Sequence, residues 1–279
     1  MKEGVERLRQ LVEQWSPEDL LRWAFVTFGG YVEIASGFGP EGVVLIDIAR
    51  KVQPAFRIFT LDTDFLFPET YRLMEQIEKR YEMKVEKLTS ALTPEDQERS
   101  YGPALWGRDP DACCNLRKVE PLRKKLSELR AWVTSIRREQ TPARAGALKV
   151  EWDAKFHLVK INPLADWTTG KVWRYIHDHD LPYNALHDRG YPSIGCTHCT
   201  RSVQPGEDAR AGRWSGFNKT ECGLHTSEQP SGLIATIEPA PSQSTGARCL
   251  PWPNKRTLQA GGTTWFISAT QRTSGSRWR

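Results

Sequence analysis

The stretch "YVEIASGFGPEGVVLIDIARKV" (residues 31–52) decides the fold. "YVEIAS" reads as a buried strand, "SGFGPE" as a loop and "EGVVLIDIARKV" as a helix. The same order returns at once: "FRIFTL" is a second strand, "DTDFLF" a loop, and "PETYRLMEQIEKRYE" a helix opened by Pro68. "KVEKL" and "AWVTSI" read as further strands. Strands alternating with helices of this length specify an α/β fold built on a mainly parallel sheet with flanking helices. Ligands of such sheets sit at the carboxyl ends of the strands, where "SGFG", "LDTD" and "TSIRRE" fall. Upstream, "MKEGVERLRQLVEQW" is an amphipathic helix, and "SPEDLLRWAF" a second, with Ser16 as N-cap and Pro17 at its first position. Residues 1–28 are therefore expected to form N-terminal helices.

Composition narrows the class. Of 279 residues, 39% are hydrophobic and 26% charged, as in a globular chain long enough to bury a core. No run reaches the eighteen or so apolar residues of a membrane span, and the N-terminus does not read as a signal peptide, so the expected location is cytoplasmic. The net charge of +5 is misleading. Arg248, Lys255, Arg256, Arg272, Arg277 and Arg279 all follow the last acid, Glu238, and without them the chain stands at −1. The body lacks the basic surplus of a nucleic-acid binder. From about residue 226 the chain is rich in Ser, Thr, Gly, Pro and Arg without periodicity, and 226–279 is expected to be a disordered or non-native tail.

The loops carry the chemistry. "SGFGPE" supplies Ser36, Gly37, Phe38 and Gly39 between strand and helix, a backbone able to wrap an anion at a helix N-terminus. It lacks the GK[ST] ending of a Walker loop, and on its own it is also compatible with a plain tight turn. "LDTD" offers Asp62 and Thr63 to a ribose or base. "GCTHCT" holds Cys196 and Cys199, which alone could be a redox dithiol or half of a zinc or iron–sulfur site. The available partners are the adjacent Cys113 and Cys114 in "DACCNLRK". Two adjacent thiolates fit poorly around one zinc, whereas in a cubane each serves a different iron. Cys222 stands apart in "NKTECGLHT", between Lys219 and His225; Cys249 has no such setting. Arg210 and Arg213 in "ARAGRW", and Arg137 and Arg138 in "SIRREQ", suit anion oxygens through their planar forks.

Together "CCNLRKVEPL", "GCTHCTRSVQPGEDARAGRW" and "ECGLH" resemble the iron–sulfur-containing bacterial branch of the assimilatory adenylyl-sulfate (APS) and phosphoadenylyl-sulfate (PAPS) reductases. The resemblance runs from about Tyr31 to His225. It implies a PP-loop adenine-nucleotide fold in residues 1–225, with Ser36–Gly39 as the phosphate loop and Leu61, Asp62 and Thr63 near the adenosine. It implies a 4Fe–4S cluster on Cys113, Cys114, Cys196 and Cys199. Cys222 would be the nucleophile on a mobile segment (196–225 also carrying the CxxC and the arginine loop), with Lys118, Arg137, Arg210, Arg213 and His225 as cations around the sulfate. Thioredoxin or glutaredoxin would be the reductant, and a homo-oligomer is allowed. The implied activity is reduction of APS to sulfite and AMP through an S-sulfocysteine, in sulfate assimilation toward cysteine. The alternatives are the same chemistry on PAPS and, from another class, a PP-loop RNA-modifying protein. Ser135 and Ser202 depart from the family, which usually has glycine and proline there.

Overall fold

The computed structural model describes residues 2–225, 258–260 and 263–265. The chain divides into two compact units, Met1–Pro230 and Ser231–Arg279. In the second, β-strands Leu258–Ala260 and Thr263–Trp265 pair antiparallel. The expectation for the rest of 226–279 lies outside the described residues.

The first unit opens with α1 (Lys2–Val12) and α2 (Pro17–Phe28). Ser16 caps α2 as its sequence foretells, its hydroxyl accepting from Asp19 N at 3.1 Å. There follow β1 (Val32–Ala35), α3 (Pro40–Val52), β2 (Ile58–Leu61), α4 (Pro68–Tyr81) and β3 (Glu86–Leu88). Short helices α5 (Pro94–Tyr101), α6 (Leu105–Arg108) and α7 (Pro110–Cys114) lead through a π-helical turn, Asn115–Val119, into α8 (Glu120–Leu126). Then come β4 (Ala131–Val133), β5 (Val150–Asp153), β6 (Leu158–Ile161) and α9 (Thr169–Asp178).

The sheet order is β3-β2-β1-β4-β6-β5. Every neighbouring pair is parallel except β5 with β6, so the mainly parallel expectation holds. The β5–β6 hairpin was not read from the sequence. Its strands are four residues each and mix apolar with charged side chains, so neither stands out as a buried run. The chain adds β2 and β3 on one side of β1 and then returns to add β4 on the other. That reversal opens a crevice beyond the carboxyl ends of β1 and β4. Below it, Phe59, Leu122, Leu126, Trp132 and Leu158 form a buried cluster joining sheet to α8. No helix among the described residues is long and apolar enough to cross a membrane.

Candidate active site

The crevice is a cleft of about 720 Å³. Its floor is the loop after β1. Ser36 Oγ accepts from Phe38 N at 3.1 Å, holding Phe38 at φ 55°, a left-handed conformation that a bulky residue adopts only under constraint. Gly39 is the N-cap of the thirteen-residue α3 and offers no side-chain acceptor; Pro40 has no N–H, so the first backbone donor of the helix at the cleft is that of Glu41. This is the geometry of an anion site. Thr134, Ser135 and Ile136 after β4 form the facing wall, with Leu61 and Thr63 alongside. Asp62 is not among the lining residues; its carboxylate accepts from Tyr71 OH at 2.6 Å and from Asp64 N at 3.1 Å.

Cations gather elsewhere in the lining. Arg210 and Arg213 come together on Ser193 Oγ, at 3.3 and 3.1 Å, and both guanidinium groups lie against the Trp214 ring. Their Nε atoms are buried without partners. Arg213 lies across Gly195, where a Cβ would crowd its guanidinium and force it to shift. Arg137 also lines the cleft, but its donors are already engaged by Glu41, Glu139, Thr169 Oγ1 and Trp167 O, which leaves it as a neutralised wall. Arg138, its neighbour, turns away to Glu13 and Ala147 O.

A second, smaller pocket adjoins the cleft and brings Cys113, Cys114, Cys196 and Cys199 together. Cys196 is tied to the cleft loop through Thr63 Oγ1 at 3.3 Å, and an isolated bridge joins it to Leu66. His198, inside the CxxC, stacks flat on Trp106 with ring centroids 4.3 Å apart and meets Phe65 edge-on, walling the pocket with aromatic rings. Arg117 is 1% exposed; it binds Gln97 and Asp64 at 2.7 Å each, while its Nη2 is buried without a partner. Burial, then the neighbouring thiols Cys114, Cys196 and Cys199, push Cys113 up to about 12. Burial, then Cys196 and Cys114, push Cys199 up to about 11. Burial also raises Cys114. Cys196 goes the other way: burial opposes its ionisation, but Lys118, the Thr63 hydroxyl and Arg213 together hold it below the ordinary thiol range. No group of three or more His, Cys, Asp or Glu among the described residues is arranged to hold a single metal ion.

Lys118 lines both the cleft and the thiol pocket. Burial disfavours its charge, but Cys196, Cys114 and Cys222 more than offset that and hold its pKa above the usual lysine range. Cys222 itself is half-buried and opens on the cleft. The residue before it, Glu221, is gripped by Arg144 and Thr141; the carbonyl after it, on Gly223, accepts from Lys155 Nζ. His225 lines the cleft and stacks on Trp132 at 5.6 Å. Its expected role as a cation needs correction. Burial first, then Lys160, Arg144, Lys155 and Arg210, hold its pKa well below the ordinary value, so the ring is neutral.

The structure thus brings the phosphate-loop residues, Leu61, Thr63, Lys118, three arginines, Cys222 and His225 to one cleft, and four cysteines to its neighbour. Sequence reasoning missed Arg144, Glu221, Ser193, Trp106 and His198 as parts of these sites. Arg144 carries no local signal, since its partner is 77 residues away. The glycine in "IGC" was a usable sign that something presses on the backbone there.

A mostly parallel α/β sheet with a glycine-bearing loop at its topological switch point has the architecture of the nucleotide-binding folds. Residues 32–202 match the family described as phosphoadenosine phosphosulfate reductase domain. An adenosine 5'-phosphosulfate reductase of Halalkalibacterium halodurans is 47% identical over 80% of this chain and 96% of its own length. One from Shouchella clausii is 50% identical over 74% and 86%. Among solved structures, a phosphoadenylyl-sulfate (PAPS) reductase of Candida auris, in a phosphate complex, superimposes with TM-score 0.63 at 31% identity, covering 73% of this chain and 98% of that one. The chain belongs to the phosphoadenosine phosphosulfate reductase family and is an oxidoreductase acting on a sulfur group.

Proposed function

We propose that this chain reduces APS to sulfite and AMP with a dithiol protein of the thioredoxin or glutaredoxin kind as electron donor, in a reducing, cytoplasmic setting. The observation that carries the reading is that Cys222 opens on the same cleft as the phosphate loop, a cleft that Lys118, Arg210 and Arg213 also line. A thiolate approaching a sulfate meets like charge, and preset cations are what lower that barrier. The Cys222 thiolate attacks the sulfuryl sulfur; an S–S bond forms, the S–O bond to the phosphate breaks, and AMP leaves with the electron pair. A donor thiolate then attacks Cys222 Sγ, sulfite leaves with that bond's electrons, and the donor's second thiol resolves the mixed disulfide. The dithiol is oxidised to a disulfide as sulfur falls from sulfate to sulfite. Assimilation of sulfate toward cysteine is the setting that consumes the sulfite.

Cys113, Cys114, Cys196 and Cys199 form a donor set suited to a 4Fe–4S cluster, in which each thiolate serves a different iron and the sulfurs need not close on one point. The unpartnered, buried Nη2 of Arg117 in the same pocket suits a group of net negative charge. When bound, such a cluster supplies fixed anionic charge beside Lys118. Lys118 meanwhile keeps its ammonium between the thiols and the cleft, and Thr63 links the two sites through Cys196.

APS is favoured over PAPS by the curated relatives, which are named adenosine 5'-phosphosulfate reductases at 44–50% identity; PAPS is the second reading, from the Candida auris enzyme. The test is anaerobic exposure to sulfur-labelled APS or PAPS without a dithiol donor. Label on the Cys222 peptide, lost in Cys222→Ser, supports the mechanism and names the substrate. Wild-type protein that captures no label from either sinks it.

A further inference from the structure

The nucleophile proposed above must meet two partners of very different size at one sulfur atom. A cleft of about 720 Å³ admits a nucleotide. It does not admit a folded protein domain, whose radius of gyration is roughly 13 Å at about 100 residues. The residues around Cys222 must therefore hold it in the cleft for one step and surrender it for the other. Glu221, 9% exposed, is built for such a hold. Its Oε1 accepts from Thr141 Oγ1 at 3.1 Å and Arg144 Nε at 3.0 Å, and its Oε2 from Arg144 Nη2 at 2.7 Å. Arg210 Nη2 stands 3.8 Å from the same carboxylate and donates to Thr220 O at 2.7 Å. Arg144 is anchored in turn: its Nη1 donates to Gln140 Oε1 at 2.6 Å, an oxygen that also accepts from Arg137 N. An unbroken chain of polar contacts thus runs from Arg137, in the loop after β4, to the residue beside the thiol.

We propose that Glu221 with Arg144 and Thr141 is a positioning clasp that docks Cys222 in the cleft and opens to present it to the dithiol donor; this rests on the reading of Cys222 as the nucleophile. A forked ion pair gives tight geometry. Because both charges regain hydration when parted, its net strength is small and the clasp is reversible, which an apolar seal of the same area would not be. Glu221 does not line the cleft; it acts through the backbone of Cys222, the next residue.

The test uses the full chain, kept anaerobic, with Glu221→Gln and Arg144→Lys. Two readouts are taken: alkylation of Cys222 by a polyethylene-glycol maleimide too bulky for the cleft, followed on the Cys222 peptide, and single-turnover labelling of Cys222 by APS. In Glu221→Gln, alkylation rises about tenfold and labelling falls by a similar factor, as loss of one charged hydrogen-bond set implies. KM for APS stays within about twofold, since Glu221 does not line the cleft. Arg144→Lys, which keeps the charge without the fork, repeats the rise in alkylation and the fall in labelling if Glu221→Gln proves unstable; KM is read in Glu221→Gln alone, because Arg144 lines the cleft. Unchanged alkylation in both single variants overturns the clasp, whatever the label shows. Absent label on the wild-type chain overturns the nucleophile reading, whatever alkylation shows.

Discussion

Gly42→Ala is the sharpest probe of the phosphate loop. Gly42 lies in the first turn of α3, and a Cβ there would stand 2.6 Å from Ser36 Oγ, closer than such atoms approach. Ser36 has one torsion with which to swing its hydroxyl aside, so the clash is relieved at the cost of the Ser36–Phe38 hydrogen bond. Losing that buried bond costs about 1–2 kcal/mol. Alanine returns roughly 1 kcal/mol of helix propensity over glycine. Global stability should therefore change by less than about 1 kcal/mol. The loop suffers more, because that bond holds Phe38 in its left-handed conformation. Weaker presentation of the loop N–H groups should raise the dissociation constant for AMP about tenfold, equivalent to ~1.4 kcal/mol. Calorimetric titration with AMP, beside thermal melts, reads both quantities. Ser36→Ala removes both the obstructing hydroxyl and the bond, so adding Gly42→Ala to it should weaken AMP binding no further and should raise stability by the roughly 1 kcal/mol of helix propensity alone. Equal AMP affinity in Gly42→Ala and wild type, or additive losses of AMP affinity in the double variant, refutes the reasoning.

Replacing Lys118 with Met should slow single-turnover labelling of Cys222 by roughly 10²–10³, the usual scale for one preset charge-stabilising donor, with little change in AMP affinity; a loss of only a few-fold would remove it from the chemistry. Deleting residues 231–279, which form a unit of their own, should leave sulfite release per enzyme within about twofold; a truncated protein that melts as before yet releases no sulfite contradicts this. His225 gives a pH signature. Its folded pKa is depressed, so below about 6.5 the unfolded chain takes up a proton that the folded one refuses. Stability should rise with pH up to about 6.5, by at most ~1.4 kcal/mol per pH unit from this group, and level off above it. His225→Phe keeps a ring against Trp132 and should flatten that slope in urea titrations between pH 5 and 6.5, pH values chosen as roughly the span below the free imidazole pKa; an unchanged slope means that the imidazole is not the buried neutral group described.

What the sequence disclosed follows the range of the interaction involved. β1, the glycine loop and α3 are contiguous, and each shows its own local pattern, so they were legible. The cysteines were legible because thiols in pairs are rare enough to seek each other across the chain. The Arg144–Glu221 pair was not, since nothing local distinguishes Arg144 from a solvated arginine. Arg137 and Arg138 make the same point in two adjacent letters: one reaches the cleft wall and the other binds Glu13, a choice set by strand direction and by acids remote in sequence. His225 was legible in place but not in charge, because neutrality follows from burial and four distant cations.

The π-helical turn Asn115–Val119 inserts slack into an otherwise continuous rod from Pro110 to Leu126. One end of that rod carries Cys113 and Cys114; the other delivers Leu122 and Leu126 to the buried cluster. A wider turn resets the angular phase between the two ends, since each residue of a regular helix advances the face by about 100°. Chemistry and core can therefore be aligned independently along one segment of chain. Removal of a single residue from this turn would rotate the thiols away from their pocket while leaving the core end seated, a fault in timing rather than in composition.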